Sequence, residues 1–267
     1  MKYFSLIKEA WKDYDNSRKI LSITDISIKV STNHVYRIIL KDGSKIIVKI
    51  SDYGYVSNFS EDHSIINALS INLSYPFENF LAKSLTKNGK LYIYEKKVKN
   101  SPIWVVFYNP IRTDKRPTKK QSLKSIENLG KELANFHLAC KNITKILPSK
   151  SKTFHEDIKF IKKNIFSKTY FHFDKSQKIE IIKHCDIFIK NTNKSINKKN
   201  LLPVFIDWNI GNFSVDKYYN FFSRWDYDWF RIGHRTLDFY FLSRVCSQQG
   251  DSTLFTYSPL PLMEKRF

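Results

Sequence analysis

Residues 201–228 read LLPVFIDWNIGNFSVDKYYNFFSRWDYD, and the reading of that stretch decides the fold. Two apolar runs each end in a carboxylate: Val204, Phe205 and Ile206 lead into Asp207, and Phe221, Phe222 and Trp225 lead into Asp226. Asn212 follows Asp207 by five residues, just past Gly211. A short loop carrying an aspartate and an asparagine, then a hairpin returning a second aspartate, is a way to hold a divalent cation and its phosphate ligand.

The rest of the chain bounds what such a loop serves. At 267 residues it is long enough for one large domain or two lobes. Hydrophobic residues at 42% and aromatics at 15% exclude general disorder. Seven glycines and eight prolines speak against a loop-dominated fold, and no internal repeat is present. Charges interrupt every apolar run at the N-terminus, and the longest run, around residues 103–108, is far below the roughly 20 residues that cross a bilayer. Three widely spaced cysteines, Cys140, Cys185 and Cys246, suit reduced thiols and form no zinc pattern. A soluble cytoplasmic protein, with no membrane partner, is the expectation.

The formal charge of +20, from 45 basic and 25 acidic residues, attracts nucleic acid, anionic membrane or anionic small molecules. The lysines are dispersed, and Lys, Ile and Asn are abundant together, so most of this excess reads as compositional bias. Nucleic acid binding would call for lysines and aromatics converging on one face, together with a steep salt dependence; it is not the expected role.

Residues 1–20 read as a helix with Phe4, Ile7, Ala10 and Trp11 at helical spacing. A strand-rich block follows: residues 25–30 alternate, and residues 34–40 lead through Asp42-Gly43 into residues 45–50, a hairpin signal. In the second strand Ile46, Val48 and Ile50 share one face, while Ile47 and Lys49 share the other. Ser60 reads as the N-cap of a helix with Glu61 and Asp62 in its first turn. Residues 90–96 and 103–108 are two more strands, the second ended by Pro110.

After residue 110 the period changes to 3.6. Leu123, Ile126, Leu129, Leu133, Phe136 and His137 form one stripe over residues 121–141. Lysine-rich helices follow near 154–166 and 175–194, then a polar loop over 191–200, and a last helix begins near Arg235. Residues 262–267 look like the first turns of another helix, so the expectation is either a naturally short chain or a missing C-terminal helical segment. This is an α+β chain with a sheet lobe, residues 1–109, and a helical lobe, residues 110–267.

Phosphoryl transfer asks for a cation on the nucleotide phosphates, a metal held by oxygen ligands, and a carboxylate at the acceptor hydroxyl. A lysine on a sheet lobe, followed by Asp, Asn and Asp in a helical lobe, supplies them. In this order of motifs, over residues 25–245, the chain resembles the aminoglycoside phosphotransferase and choline kinase group, most closely its branch that includes homoserine kinase type II.

That resemblance implies a protein-kinase-like bilobal fold, and it implies an ATP- and Mg2+-dependent phosphotransferase acting on a hydroxyl of a small molecule. It makes Asp207 the catalytic base and Asn212 and Asp226 the metal ligands, with Asp228 a second candidate. Lys49 falls at the phosphate-binding lysine, and Asp62, or Glu61 one position away, at its acidic partner. Ser31 and Thr32 stand where the phosphate loop belongs, and Phe107, Tyr108 and Asn109 where the inter-lobe hinge meets the adenine. Leu129, Gly130, Ala134 and His137 match a helix motif, and Asp238 matches the acid that braces the catalytic loop.

The group's His-Gly ahead of the catalytic aspartate is replaced here by Phe205 and Ile206. The resemblance therefore leaves a non-catalytic, nucleotide-binding scaffold as the alternative. Residues 141–200 are heavily basic, which disfavours a polycationic acceptor and points to a neutral, zwitterionic or anionic one.

Overall fold

Period-2 alternation in the first half and period 3.6 in the second yield a sheet followed by helices. The computed structural model describes residues 3–27, 33–52, 55–98, 101–118, 120–147, 153–167, 173–195 and 201–239. Ser31, Thr32, the later part of the strand expected over 25–30, and the turns expected at 262–267 lie outside the described residues.

Helix α1 (Phe4–Tyr14) buries Leu6, Ile7, Ala10 and Trp11. It ends sooner than expected because Asp15 Oδ1 accepts from the Ser17 amide and hydroxyl at 3.0 and 2.6 Å, a local turn that competes with the helix. Strand β1 (Ile20–Asp25) therefore starts early and finishes where the expected strand began. Strands β2 (His34–Leu40) and β3 (Lys45–Ser51) form the hairpin, whose turn contains Gly43 at a φ of 82°, a conformation glycine adopts without steric cost.

Helix α2 (Val56–Asn72) starts four residues ahead of Ser60, which is an interior residue whose carbonyl accepts from Ser64 Oγ. The expected N-cap is thus incorrect. An extended Tyr55 precedes the helix and provides no side-chain cap. A two-residue Asn88-Gly89 turn, both residues at positive φ, joins β4 (Thr86–Lys87) to β5 (Lys90–Leu91). The strand expected over 90–96 is divided, because the Tyr92 amide turns away to the Leu85 carbonyl before β6 (Ile93–Val98) begins. Strand β7 (Ser101–Tyr108) completes a five-stranded antiparallel sheet in the order β1-β2-β3-β7-β6.

This sheet separates two cores. Tyr36, Ile38, Ile46, Val48, Ile50, Val105 and Phe107 meet α1 on one side, where the Trp11 and Phe107 rings contact edge to face at 5.2 Å. On the other side, Val106 and Tyr108 join a larger core with α2 and with α3 (Leu123–Ile143). From α3, Leu129, Leu133, Phe136, His137 and Cys140 are buried; Leu123 at the helix start is exposed, against the expected stripe.

Helices α4 (Phe154–Asn164) and α5 (Lys175–Ser195) follow. Strand β8 (Leu201–Val204) pairs with β11 (Arg231–His234), and β9 (Phe213–Val215) with β10 (Phe221–Arg224). A helical turn begins at Thr236, as expected near Arg235. No helix among the described residues is long and apolar enough to cross a membrane.

Candidate active site

Strand β8 delivers a tightly turned loop. Ile206 sits at a φ of 61°, and the Asp207 amide bonds back to the Phe205 carbonyl at 2.6 Å, a γ-turn of the strained kind for a β-branched residue. Buried Asp238 holds the turn: its Oδ1 accepts from the Phe205 and Ile206 amides at 2.8 and 2.6 Å, and its Oδ2 from His137 Nε2 at 2.8 Å. Phe205, where the resemblance expects a histidine, packs against Phe136, Tyr227 and Phe230.

Past the turn, Asp207 Oδ1 accepts from the Asn209 amide at 3.2 Å, and the Asn212 side chain reaches the Asp207 carbonyl at 3.5 Å. Burial raises the pKa of Asp207 above the usual carboxylate range; Arg224 and the Asn209 amide pull against the rise, and the Asp226 charge adds to it. The Trp225 amide donates to the Asn212 carbonyl at 3.0 Å, so the hairpin end is stitched to the loop and Asp226 follows directly. Asp226 is itself in the left-handed region, at a φ of 65°.

Lys49 comes from the opposite direction. On β3 it points away from Val48 and Ile50, and it is only 7% exposed. Its ammonium bonds Asp226 Oδ1 at 3.2 Å and Asp228 Oδ1 at closer range. Burial works against the ammonium charge, yet Asp226 and Asp228 hold it protonated well above the ordinary lysine value. Burial likewise opposes the Asp226 carboxylate, and Lys49 outweighs it, leaving that pKa below the usual range. Asn33, buried at the start of β2, donates its side-chain amide to Asp228 Oδ2.

The structure thus brings Lys49, Asp207, Asn212, Asp226 and Asp228 together. It does not give Lys49 the expected partner from α2. Because that helix starts at Val56, Glu61 and Asp62 fall in its second turn, with Glu61 exposed and Asp62 buried, and the ion pairs of Lys49 run to the hairpin aspartates instead. The expected adenine contacts need correcting too. Phe107 is fully buried against α1, its carbonyl accepts from the Leu85 amide, and the Asn109 amide donates to the Lys83 carbonyl. Residues 83–85 thus occupy the Phe107 carbonyl and the Asn109 amide. Tyr108 Oη is bonded to His63 Nε2 at 2.7 Å.

Two members escaped the sequence. His63, stacked on Phe59 with ring centroids 3.7 Å apart, has its pKa pushed down to about 3 by burial and by Lys49, so it stays neutral. Arg224 is the second. Strict alternation on β10 places it on the outer side with exposed Phe222, but a register shift between Phe221 and Ser223 turns it inward, where it is fully buried.

The donors present fit magnesium. Asp226, Asp228 and the Asn212 amide oxygen are hard oxygen ligands on one short segment, and among the described residues no cluster of three His, Cys, Asp or Glu side chains forms a closed protein cage. An ion that takes its remaining ligands from water and phosphate suits such a set.

No protein-family model matches the sequence, and no curated protein matches it. Solved structures do match. The amicoumacin kinase hAmiN, in complex with AMP-PNP, Ca2+ and Ami, superposes with a TM-score of 0.63 at 15% identity, over 89% of this chain and 67% of that one. An ADP-bound aminoglycoside phosphotransferase gives 0.56 at 14%, over 91% and 77%. A microcompartment-associated aminopropanol kinase gives 0.56 at 14%, over 88% and 72%. The chain therefore has the protein-kinase-like, bilobal fold of these phosphotransferases.

Proposed function

We propose that the protein is an ATP- and Mg2+-dependent small-molecule kinase that phosphorylates a hydroxyl. The observation that carries the reading is the convergence of a buried lysine from the sheet on two aspartates that follow the Asp207–Asn212 loop. Three solved neighbours described as kinases or phosphotransferases share the fold.

In this reading Lys49, now bonded to Asp226 and Asp228, would neutralise nucleotide phosphates, and Asn212 and Asp226, with Asp228 in support, would hold the metal. Magnesium supplies charge neutralisation across the transferring phosphate. Asp207 accepts the acceptor's proton or orients the hydroxyl in line, and burial raises its pKa, the direction that makes a carboxylate a stronger base. Ser31 and Thr32 keep their expected phosphate-loop role in this reading, and Asn33 beside them holds Asp228. Lobe assignments of 1–109 and 110–267 and a cytoplasmic location belong to the same reading.

The acceptor is neutral, zwitterionic or anionic, an amino alcohol of the homoserine type, a sugar or a phosphorylated metabolite. The heavily basic residues 141–200 support this. So does a basic segment beside the site: Lys115 pairs its backbone with Val215 of β9, and the Arg116 guanidinium lies 6.0 Å from the Trp225 ring centroid.

A thermal-shift series with ATP and Mg2+, followed by ATP consumption over a panel of such hydroxyl compounds, tests the reading. Saturating nucleotide at about a hundred times its Kd adds roughly 2.7 kcal/mol to stability, a clear shift. Absence of any nucleotide shift removes the proposal. A shift without turnover on any acceptor leaves the nucleotide-binding scaffold.

A further inference from the structure

Beneath the Asp207 loop lies a buried charge to which the proposed reaction gives no role. Arg224, the last residue of β10, is fully buried. Its guanidinium stands 4.2 Å from the Trp208 ring centroid and 4.9 Å from that of Phe205. Nη2 donates to the Asp207 carbonyl at 2.8 Å. Nε and Nη1 have no hydrogen-bond partner among the described residues.

As a device for stability this arrangement is poor. The charges of Asp238, Asp207 and Asp226 offset the desolvation of this cation only in part, burial still lowering its pKa, and apolar side chains of similar volume often replace buried charges without loss. What the arginine supplies is a planar donor, clamped between two rings, at the one backbone group that fixes where Asp207 stands. The same residue precedes Asp226 by two positions, and its own amide and carbonyl are bonded to Phe80 and Ala82. It thus ties the base loop, the metal-bearing turn and the segment under the sheet.

We infer that Arg224 is a positioning residue that locks Asp207 to Asp226 so that the two carboxylates keep a fixed separation. The Asp207 loop has its other anchor at Asp238, which is braced by His137 and bonds the loop at the Phe205 and Ile206 amides, ahead of Asp207. Phe205 contributes a ring face to the cation. The inference rests on the phosphotransferase reading for its chemical consequence, and on geometry alone for the tether.

The test compares wild type, Arg224→Met and Arg224→Lys in three measurements: melting temperature, Mg-ATP turnover with water as acceptor, and amide exchange over residues 207–212. The expected result is a melting temperature for Arg224→Met equal to or above wild type, unchanged KM for ATP, and kcat lower by about a hundredfold. Exchange at 207–212 rises by about tenfold or more, while the Phe205 and Ile206 amides stay protected. Arg224→Lys, which keeps the cation, recovers part of the rate and protection. A fall in melting temperature with kcat per folded molecule intact makes Arg224 structural and overturns the inference, as does unchanged exchange. If Arg224→Met fails to fold, Arg224→Lys carries the same comparison against wild type. If wild type itself neither binds nor turns over Mg-ATP, the phosphotransferase reading falls, and the exchange measurement alone decides the tether.

Discussion

The two sides of the five-stranded sheet are built on different terms. Toward α1, side chains at every second position, Ile46, Val48 and Ile50 facing Val105 and Phe107, close an apolar core around Trp11. Toward the helical lobe, the same strands present buried Lys49 and Tyr108, and below them lie buried Arg224, Asp238 and His137 with half-buried Asp207 and Asp226. The first side needs only volume and pattern. The second carries left-handed turns at Ile206 and Asp226 and a cation with unfilled donors. Strain and buried charge on one side only indicate that it is shaped by chemistry, and that the other pays for it in stability.

The largest effect is expected from the apolar side. Phe107→Ala, deep between α1 and the sheet, should cost about 3–5 kcal/mol by chemical denaturation. It should leave turnover per folded molecule unchanged, and a lost kcat at full folding would show that the two sides are not separable. On the other side, Lys49→Met should reduce Mg-ATP turnover by about 10²–10³-fold, the usual loss when one charge-stabilising donor is removed. Because Lys49 is bonded to both Asp226 and Asp228, nucleotide affinity should fall with it in calorimetry.

Acid should separate the sides next. His63 is neutral in the fold with a pKa near 3, whereas the unfolded chain protonates it near 6.5. The stability from this group is intact above pH 6.5 and declines as pH falls toward 3, by about 1.4 kcal/mol per pH unit. Melting temperature against pH should slope less steeply below 6.5 in His63→Phe than in wild type. Identical slopes would mean that the ring, though flanked by Lys49, Tyr108 and Asp226, takes a proton without penalty.

The smallest effect concerns strain. At an ordinary site Gly is less stable than Ala, but at the φ of 61° of Ile206 the order should invert, with Ile206→Gly above Ile206→Ala by about 1 kcal/mol. Ala above Gly would remove strain from the account of the loop.

The difference between the sides also governs what was legible in the sequence. Alternation assigns Lys49 correctly to the face opposite Val48, and the Asp207–Asn212 spacing and the Asp226 hairpin are visible as residue types. Phe107 is misread as a hinge contact because nothing in one sequence says that residues 83–85 fold back onto its carbonyl. The Lys49 partner is misread because α2 starts at Val56 without a capping side chain to mark it. Arg224 is invisible because a register shift in β10 breaks the alternation that would place it outside. Regular packing follows period; site geometry depends on its interruptions.

The central claim is that Asp207 works within the Lys49–Asp226 constellation as the acceptor's base or orienting carboxylate. Asp207→Asn keeps the side chain's shape and the Asn209 amide contact while removing the charge. Mg-ATP consumption by wild type and Asp207→Asn, at equal folded concentration and with the best acceptor from the panel, measures that claim directly. The account predicts a loss of about 10²–10⁴-fold with nucleotide binding retained. Equal turnover in the two proteins would contradict it.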